Sequence, residues 1–224
     1  MNKLDAILSI TQEDKIIFEN LGCRIPILVT PLGVDVKDIR QIENEKTEWC
    51  LFHLGAMDWM PNLEAIDWFL KNCWQMIHRE FPDLKLYLAG RGFPKRLMEA
   101  TLPNVICEGE ISDSTNYMRN KQIMIVPLLS GSGMRVKIIQ GIAFGKTIIS
   151  TTIGAEGIEY TNGENILIAD TPQQFLSAIK KCLNDKTFAE QIGQAAQLLI
   201  KEKYSNETIG KSVTEFYGQL IKKV

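Results

Sequence analysis

Short segments that are apolar at nearly every position recur along this chain and alternate with longer helical patterns. A strand whose residues are all apolar is buried on both faces, as in a parallel sheet covered by helices on either side. The regular alternation of such strands with helices therefore predicts an α/β fold with a doubly wound, Rossmann-like parallel sheet. The predicted strands are 25–29, 49–54, 84–89, 104–107, 122–126, 147–151 and 165–168.

Helical periodicity and capping residues predict eight helices. Asp113 is placed to cap one of them, and Thr171 followed by Pro172 is a typical start for another. The last three helices have no strand between them, so we expect them to pack across one end of the sheet. The predicted helices are 11–21, 62–79, 94–100, 112–120, 133–144, 172–183, 187–202 and 205–222.

A polar, highly charged stretch interrupts the alternation at 31–48 and predicts a linker. The part before it, 1–30, holds one strand–helix–strand unit, which is too small to bury a core of its own. We therefore predict three parts. Residues 1–30 are the remnant of an N-terminal domain, 31–48 link two domains, and 49–224 form a complete Rossmann-like α/β domain with C-terminal helices.

Charge and composition exclude several classes of function. The formal net charge is −2 with both signs spread along the chain, which is unlike the concentrated basic surface of a nucleic-acid-binding protein. No segment approaches the roughly 20 apolar residues of a membrane span, and the N-terminus lacks the pattern of a secretory signal. Five scattered cysteines without a C-x-x-C pair, and only two histidines, argue for reduced thiols in a cytosolic protein without a zinc site.

The segment 141–147 (GIAFGKT) looks at first like a phosphate-binding P-loop. Its spacing is one residue short of G-x-x-x-x-G-K-S/T, and its order is helix, glycine, strand instead of strand, loop, helix. We interpret it as a helix stop, with Gly145 at the C′ position and the next strand beginning at Thr147.

The loop that follows the strand 122–126 has the order that a phosphate site requires. Gly131 and Gly133 remove Cβ atoms where a ligand would approach the backbone. With a helix starting near 133, the amides of Ser132, Gly133 and Met134 would point at an anion. A flexible Gly-Ser turn, Ser130 included, before an ordinary helix is the alternative.

Helical geometry places the polar residues that follow this loop on two different faces of the helix. Gly133, Lys137 and Gln140 fall on one face, where Lys137 would neutralise a phosphate and Gln140 would bind a hydroxyl. Arg135 points roughly the opposite way, so it must reach forward along the loop or form a surface ion pair.

Three other strand ends carry candidate ligand contacts, because ligands of open α/β sheets bind at the carboxyl ends of the strands. Gly90 and Arg91 form a glycine turn with a cation, although a tight strand–helix turn is the simpler reading. The backbone around Gly109 would meet a base edge, with Glu108 and Glu110 either beside it or simply solvated. After the first strand of the domain and its Gly55, Trp59 and Met60 form an apolar bulge that favours packing over substrate contact.

Taken together and in this order, the loops resemble the C-terminal, donor-binding domain of a GT-B glycosyltransferase of the "glycosyl transferases group 1" family. Residues 52–55 (FHLG) are similar to the first strand of that domain and its glycine. Residues 86–92 (LYLAGRG) and 104–110 (NVICEGE) are similar to its next two strand ends, with Glu110 in a usually apolar place. Residues 125–150 resemble its donor loop, helix and following strand, and the segments 154–157 (GAEG) and 163–165 (GEN) resemble the two loops after it.

The N-terminal segments 7–9 and 27–35 resemble the end of the family's first domain and the crossing into the second. The resemblance therefore implies that most of an acceptor-binding N-terminal domain is missing, so this fragment alone should be inactive. It further implies transfer from a UDP-, GDP- or ADP-sugar, with retention, to an unknown glycan or lipid-linked acceptor in polysaccharide biosynthesis. The implied location is cytoplasmic, with peripheral attachment at the inner face of the membrane through the missing domain.

The resemblance also implies roles for particular residues. Arg135 and Lys137 would stabilise the nucleoside diphosphate leaving group, no divalent metal or other cofactor would be needed, and no catalytic base is identified. Two glutamates that usually flank the donor loop are replaced by Ser132 and Gln140; an amide still binds hydroxyls but carries no charge. The implied donor-binding set is Gly55, Gly90, Arg91, Glu108, Gly109, Glu110, Ser130, Gly131, Ser132, Gly133, Met134, Arg135, Lys137 and Gln140.

Two alternatives stay open at this point. A sugar-nucleotide epimerase shares the two-domain architecture, and a non-catalytic α/β binding module would explain Ser132 and Gln140 as decay of the site. A dinucleotide dehydrogenase is disfavoured, because no strand is followed by G-x-G-x-x-G.

Overall fold

A computed structural model describes residues 3–35 and 47–222. Within that part, eight strands alternate with nine α-helices, and a π-helical turn, Leu70–Trp74, joins α2 to α3 in one continuous helical run. The strands are β1 Ile7–Ser9, β2 Ile27–Val29, β3 Glu48–Leu54, β4 Leu86–Ala89, β5 Val105–Gly109, β6 Lys121–Val126, β7 Thr147–Ser150 and β8 Leu167–Ile168. The helices are α1 Gln12–Asn20, α2 Met60–Phe69, α3 Gln75–Glu80, α4 Lys95–Met98, α5 Ser114–Arg119, α6 Val136–Ala143, α7 Pro172–Asn184, α8 Lys186–Lys203 and α9 Asn206–Ile221.

The main sheet has six strands in the order β5-β4-β3-β6-β7-β8, and every neighbouring pair is parallel. The strand order runs outward from β3 in one direction and from β6 in the other. The predicted doubly wound, Rossmann-like α/β fold is thereby confirmed, and the topological switch lies between β3 and β6.

Both faces of this sheet are covered, which explains why its strands are apolar at consecutive positions. Leu51 of β3 belongs to a buried cluster with residues of α2, α3 and α7, whereas Phe52 belongs to a second cluster with residues of α6 and α8. In the first cluster the Phe69 and Phe175 rings meet edge to face, with centroids 5.4 Å apart. Such aromatic pairs add about 0.5–1.5 kcal/mol to the burial of the rings themselves.

Helices α7 and α8 do not pack across one end of the sheet as the sequence suggested, and none of the described residues of α9 is buried. Helix α7 covers the first cluster through Phe175 and Ile179, and α8 contributes Ala189 to the first cluster and Ala196 to the second. Helix α7 therefore covers one face of the sheet, and α8 contributes to the apolar layers on both faces. No helix in the described part of the chain combines the length and apolar character needed to cross a bilayer.

The N-terminal unit is a separate two-stranded sheet in which β1 and β2 pair in parallel, with α1 between them. Of the predicted linker, 36–46 lie outside the described residues. Its beginning is fixed to the main domain, because the Val34 amide donates to the Tyr204 carbonyl at 2.9 Å and the Asn206 amide donates to the Val34 carbonyl at 3.0 Å.

The end of α6 confirms that 141–147 is not a P-loop. Gly145 adopts φ +66° immediately after the helix, its amide donates to the Ile142 carbonyl, and the Lys146 amide donates to the Gly141 carbonyl at 3.0 Å. This pair of bonds is the Schellman arrangement that terminates helices at a left-handed glycine.

Candidate functional site

A cavity of about 390 Å³ opens at the carboxyl ends of β3 and β6, on the topological switch point of the sheet. This is where ligands of open α/β sheets bind. Most of its wall is apolar, and a few polar side chains converge on it, as in small-molecule sites generally. The lining residues are His53, Leu54, Ala56, Trp59, Asn62, Met124, Val126, Leu128, Met134, Arg135, Val136, Lys137 and Ile138.

The loop between β6 and α6 folds closely around an indole ring. Gly131 has φ +97° and Gly133 has φ +87°, a region that L side chains rarely adopt. A Cβ on Gly131 would lie 3.1 Å from the Trp59 ring and 3.3 Å from Nη2 of Arg135, whereas no described atom lies within 4 Å of a Cβ on Gly133. Gly131 is therefore required by packing as well as by its backbone angle.

Helix α6 begins at Val136, three residues later than the sequence predicted, because Arg135 occupies the N-cap position with extended backbone angles. The amides of Ser132, Gly133 and Met134 consequently belong to the loop and not to the first turn. The predicted helix start is wrong, and anion binding by these amides stays a prediction. Ser130 is tied to α2, since its hydroxyl donates to Oε2 of Glu64 at 2.8 Å.

The Arg135 side chain folds back over its own loop. Its Nη1 donates to the carbonyl oxygens of Ser132 and Gly133, and its guanidinium carbon lies 5.4 Å from the centroid of the Trp59 ring. Its Nε and Nη2 are buried and have no hydrogen-bond partner among the described residues. Burial lowers the pKa of Arg135, and the nearby Glu156 carboxylate opposes that shift.

Lys137, one residue into α6, is the second cation on the cavity wall. Burial lowers its pKa, the positive charge of Arg91 lowers it further, and Asp58 acts in the opposite direction. In the part of the chain that the structure describes, Lys137 forms no salt bridge, because Asp58 is paired instead with Arg91, Nε to Oδ2, at 3.1 Å. The cavity thus holds two partly buried positive charges that lack a full counter-charge.

Gln140 does not share this cavity with Lys137. It lines a neighbouring hollow of about 210 Å³ together with Gly33, Val34 and Thr115. The two hollows meet at Val136, which borders both. A ligand that reaches both Lys137 and Gln140 must therefore pass over Val136, which is 49% exposed.

The predicted glycines of the other strand ends form one row of close backbone contacts. The Gly55 amide donates to the Ala89 carbonyl at 2.9 Å and the Gly90 amide donates to the Gly109 carbonyl at 2.7 Å. A Cβ on Gly90 would lie 1.9 Å from the Gly55 carbonyl oxygen, so these glycines hold three strand ends together. Glu108 and Glu110 are exposed, and neither they nor Gly109 lines the cavity.

His53 and Asn62 are polar residues of the cavity that the sequence analysis did not assign. His53 is the more deeply buried of the two. His53 lies in β3, is 2% exposed, and its Nδ1 is 3.0 Å from the carbonyl oxygen of Ile125 in β6. Burial lowers the pKa of His53 to about 4, and the charge of Lys137 acts in the same direction, whereas the bond to Ile125 opposes it. A histidine in an otherwise apolar strand, two residues before the strand-end glycine, is the only signal that pointed to it. Trp59, which we expected to serve packing, also lines the cavity.

The chain was compared with known protein families and with curated proteins. The family model described as "Glycosyl transferases group 1" matches residues 48–185. An "Uncharacterized 44.6 kDa protein in cps region" of Klebsiella pneumoniae is 27% identical over 164 residues, which is 69% of this chain and 42% of that protein. This chain therefore spans less than half the length of that relative.

Solved structures show the same fold at low sequence identity. TarM superposes with a TM-score of 0.76 at 16% identity, over 96% of this chain and 43% of TarM. A glycosyltransferase from Rickettsia africae gives 0.76 at 15% identity, over 98% of this chain and 64% of its own. Anabaena Alr3699/HepE in complex with UDP and glucose gives 0.69 at 16% identity, over 96% of this chain and 63% of its own.

Proposed function

The chain belongs to the glycosyl transferases group 1 family, and from this premise we propose that it binds the nucleotide-diphosphate sugar from which a glycosyl group is transferred. In this proposal the diphosphate lies in the cavity at the switch point, against Arg135 and Lys137. The corresponding reaction is transfer of the sugar to an acceptor with retention of configuration.

The observation that carries the proposal is the pair of cations without a full counter-charge. Removing a charged group from water is costly unless an opposite charge or strong hydrogen bonds compensate. Arg135 keeps two buried donors, Nε and Nη2, without a partner among the described residues, and Lys137 has no ion pair there. A diphosphate supplies two negative groups with many acceptor oxygens, which fits a guanidinium and an ammonium that line the same cavity.

These residues would act on the leaving group. When the bond between the sugar and the diphosphate breaks, negative charge grows on the diphosphate oxygen that departs. Two cations fixed before the reaction stabilise that charge more in the transition state than in the ground state. Because they are already in place, we propose that no divalent metal is needed, and we expect EDTA to leave nucleotide binding unchanged.

The rest of the donor is proposed to extend from the diphosphate over Val136. Gln140 in the adjoining hollow would bind ribose hydroxyls, with the strand ends around Gly90, Arg91 and Gly109 bordering the nucleoside. UDP is the first nucleotide to test, because HepE is described in complex with UDP and with UDP-glucose.

We propose that transfer also requires an acceptor-binding domain of which residues 3–30 are one edge. A two-stranded parallel sheet is not stable alone, and Leu8 and Ile10 of this unit are exposed apolar side chains. The acceptor would be a glycan or lipid-linked glycan in polysaccharide biosynthesis, in keeping with the cps-region relative. The proposed location is the cytoplasm, at the inner face of the membrane.

Calorimetric titration of UDP, GDP and ADP into the chain tests the proposal. We expect one nucleotide to bind, and we expect Lys137→Ala to weaken it about 10- to 100-fold, since charge-assisted hydrogen bonds contribute about 1.5–3 kcal/mol. Lys211→Ala, which removes an exposed lysine of α9 paired with Glu207, is the matched control and should bind normally. If no nucleotide binds the wild type, or if Lys137→Ala binds equally well, the diphosphate site is elsewhere.

A further inference from the structure

The hydrogen-bonding state of His53 follows from its partner. Nδ1 lies 3.0 Å from the Ile125 carbonyl oxygen, and a carbonyl oxygen can only accept, so Nδ1 carries the hydrogen. In the neutral ring the other nitrogen, Nε2, is then a hydrogen-bond acceptor. Nε2 is buried and has no hydrogen-bond partner among the described residues.

The surroundings of Nε2 are shaped by the absence of a side chain at Gly55. A Cβ at that position would lie 2.5 Å from Nε2 and 3.0 Å from Cγ of Asn62. Every residue other than glycine would therefore collide with the imidazole where β3 ends. The Asn62 amide is itself fixed, since its Nδ2 donates to the Ala56 carbonyl at 2.9 Å, and His53, Ala56 and Asn62 all line the cavity.

The cavity wall carries two chemically different kinds of polar group. Arg135 and Lys137 contribute positive charges to the wall, whereas His53 and Asn62 contribute a neutral imidazole and an amide. Phosphate oxygens at neutral pH can only accept hydrogen bonds, so the lone pair of Nε2 is of no use to a diphosphate. A sugar hydroxyl can donate to it, and the C–H groups of a sugar ring suit the apolar wall.

We propose that His53 determines specificity for the transferred sugar, with Nε2 accepting a hydrogen bond from one of its hydroxyl groups. The inference rests on the proposed function, because the diphosphate on Arg135 and Lys137 is what brings the sugar to this wall. His53 would thus hold the sugar from β3, whereas the donor loop has Ser132 in the place of a glutamate. An acceptor left unpaired by the wrong sugar is costly, which is how a buried polar group rejects analogues.

Two substitutions at His53 distinguish the roles of the two ring nitrogens. In His53→Asn the side-chain amide takes the place of Nδ1, keeping a donor for Ile125, and removes the acceptor at Nε2. In His53→Gln the amide reaches the place of Nε2 and keeps an acceptor there. Circular dichroism and urea unfolding confirm that each variant is folded before ligands are compared.

The test measures the affinity gained when the sugar is added to the nucleotide. UDP, GDP and ADP are titrated beside UDP-glucose, UDP-galactose, UDP-N-acetylglucosamine, GDP-mannose and ADP-glucose. We expect one sugar nucleotide to bind the wild type tighter than its parent diphosphate. In His53→Asn that gain should fall about tenfold or more, with the parent diphosphate unchanged within about twofold, and His53→Gln should recover part of it. Deoxy analogues of that sugar should identify the hydroxyl, because its removal weakens binding to the wild type and not to His53→Asn.

The outcomes distinguish this inference from the proposed function. If diphosphates bind the wild type but no sugar nucleotide of the panel binds tighter, or if the gain is the same in His53→Asn, the sugar-reading role is refuted and the diphosphate site stands. If His53→Asn weakens the parent diphosphate as much as the sugar nucleotide, His53 acts through Lys137, and the inference is overturned. If no diphosphate binds at all, the proposed function fails and the inference fails with it.

Discussion

Acid should destabilise this protein through His53, and the size of the effect can be worked out from the structure. The unfolded chain has an ordinary histidine pKa near 6.5, whereas burial in β3 lowers the pKa of His53 to about 4 in the folded protein. Because the folded pKa is depressed, the unfolded state binds the proton first as the pH falls. The stability that His53 contributes is therefore present above about pH 6.5 and is lost progressively down to about pH 4.

The two pKa values give the expected loss between pH 7 and pH 5. At pH 7 the linkage costs only about 0.2 kcal/mol, whereas at pH 5 the unfolded histidine is almost fully protonated and the folded one is not, which costs about 2 kcal/mol. The charge of Lys137 acts in the same direction as burial, and the Ile125 carbonyl acts against both. The His53 contribution should therefore fall by roughly 2 kcal/mol over these two pH units.

Urea unfolding of the wild type and of His53→Phe at pH 7 and pH 5 measures the contribution of His53 to the unfolding free energy, because the other titrating groups are common to both proteins. Between the two pH values, the wild type should lose about 2 kcal/mol more unfolding free energy than the variant. At a typical dependence of unfolding free energy on urea concentration, the urea midpoint of the wild type should fall by about 1 M more than that of the variant. Equal losses in the two proteins would show that His53 titrates normally and would refute the buried, neutral imidazole.

Three further substitutions test the packing of the helices and of one buried lysine. Gly193→Ala in α8 places a Cβ 2.2 Å from the Gly145 carbonyl oxygen, so urea unfolding should show a loss of about 1–3 kcal/mol from overpacking. Gly210→Ala in α9, where no described atom lies within 4 Å of the new Cβ, should instead gain up to about 1 kcal/mol from helix propensity; a gain at both positions would contradict the close approach of α8. Lys121→Met should lower the unfolding free energy by about 1 kcal/mol in urea, because the Lys121 ammonium lies 3.7 Å from the centroid of the Tyr117 ring. The loss should be smaller at high salt, where the wild-type contact is screened.

The sequence by itself determined the layered α/β fold, because its evidence is local. Residues 123–126 (IMIV), for example, are apolar at four consecutive positions, so both faces of that strand are apolar, as in a sheet buried on both faces. The stop at Gly145 was also readable, since a left-handed glycine after a helical pattern is local chemistry. The same is true of the start of α7, where Thr171 is the N-cap residue and Pro172 follows it in the first turn, as predicted.

Helix boundaries and the grouping of side chains depend on contacts between distant segments. Local sequence patterns do not reveal those contacts. The start of α6 moved from 133 to Val136 because Arg135 folds back onto its loop and against Trp59, which comes from the end of another strand. Helical spacing placed Lys137 and Gln140 on one face, yet the neighbours of α6 divide that face between two hollows.

His53 shows the difference most clearly. From the sequence it is one polar residue in an apolar strand, and nothing local tells a buried structural histidine from a ligand contact. Its character comes from β6, whose Ile125 carbonyl fixes the tautomer, from Gly55, which leaves room for Nε2, and from Lys137, whose charge helps to keep the ring neutral. Sequence patterns determine which faces of a strand are buried, but only the tertiary structure determines which atoms meet there, because the contact of His53 with Ile125 joins residues 72 positions apart.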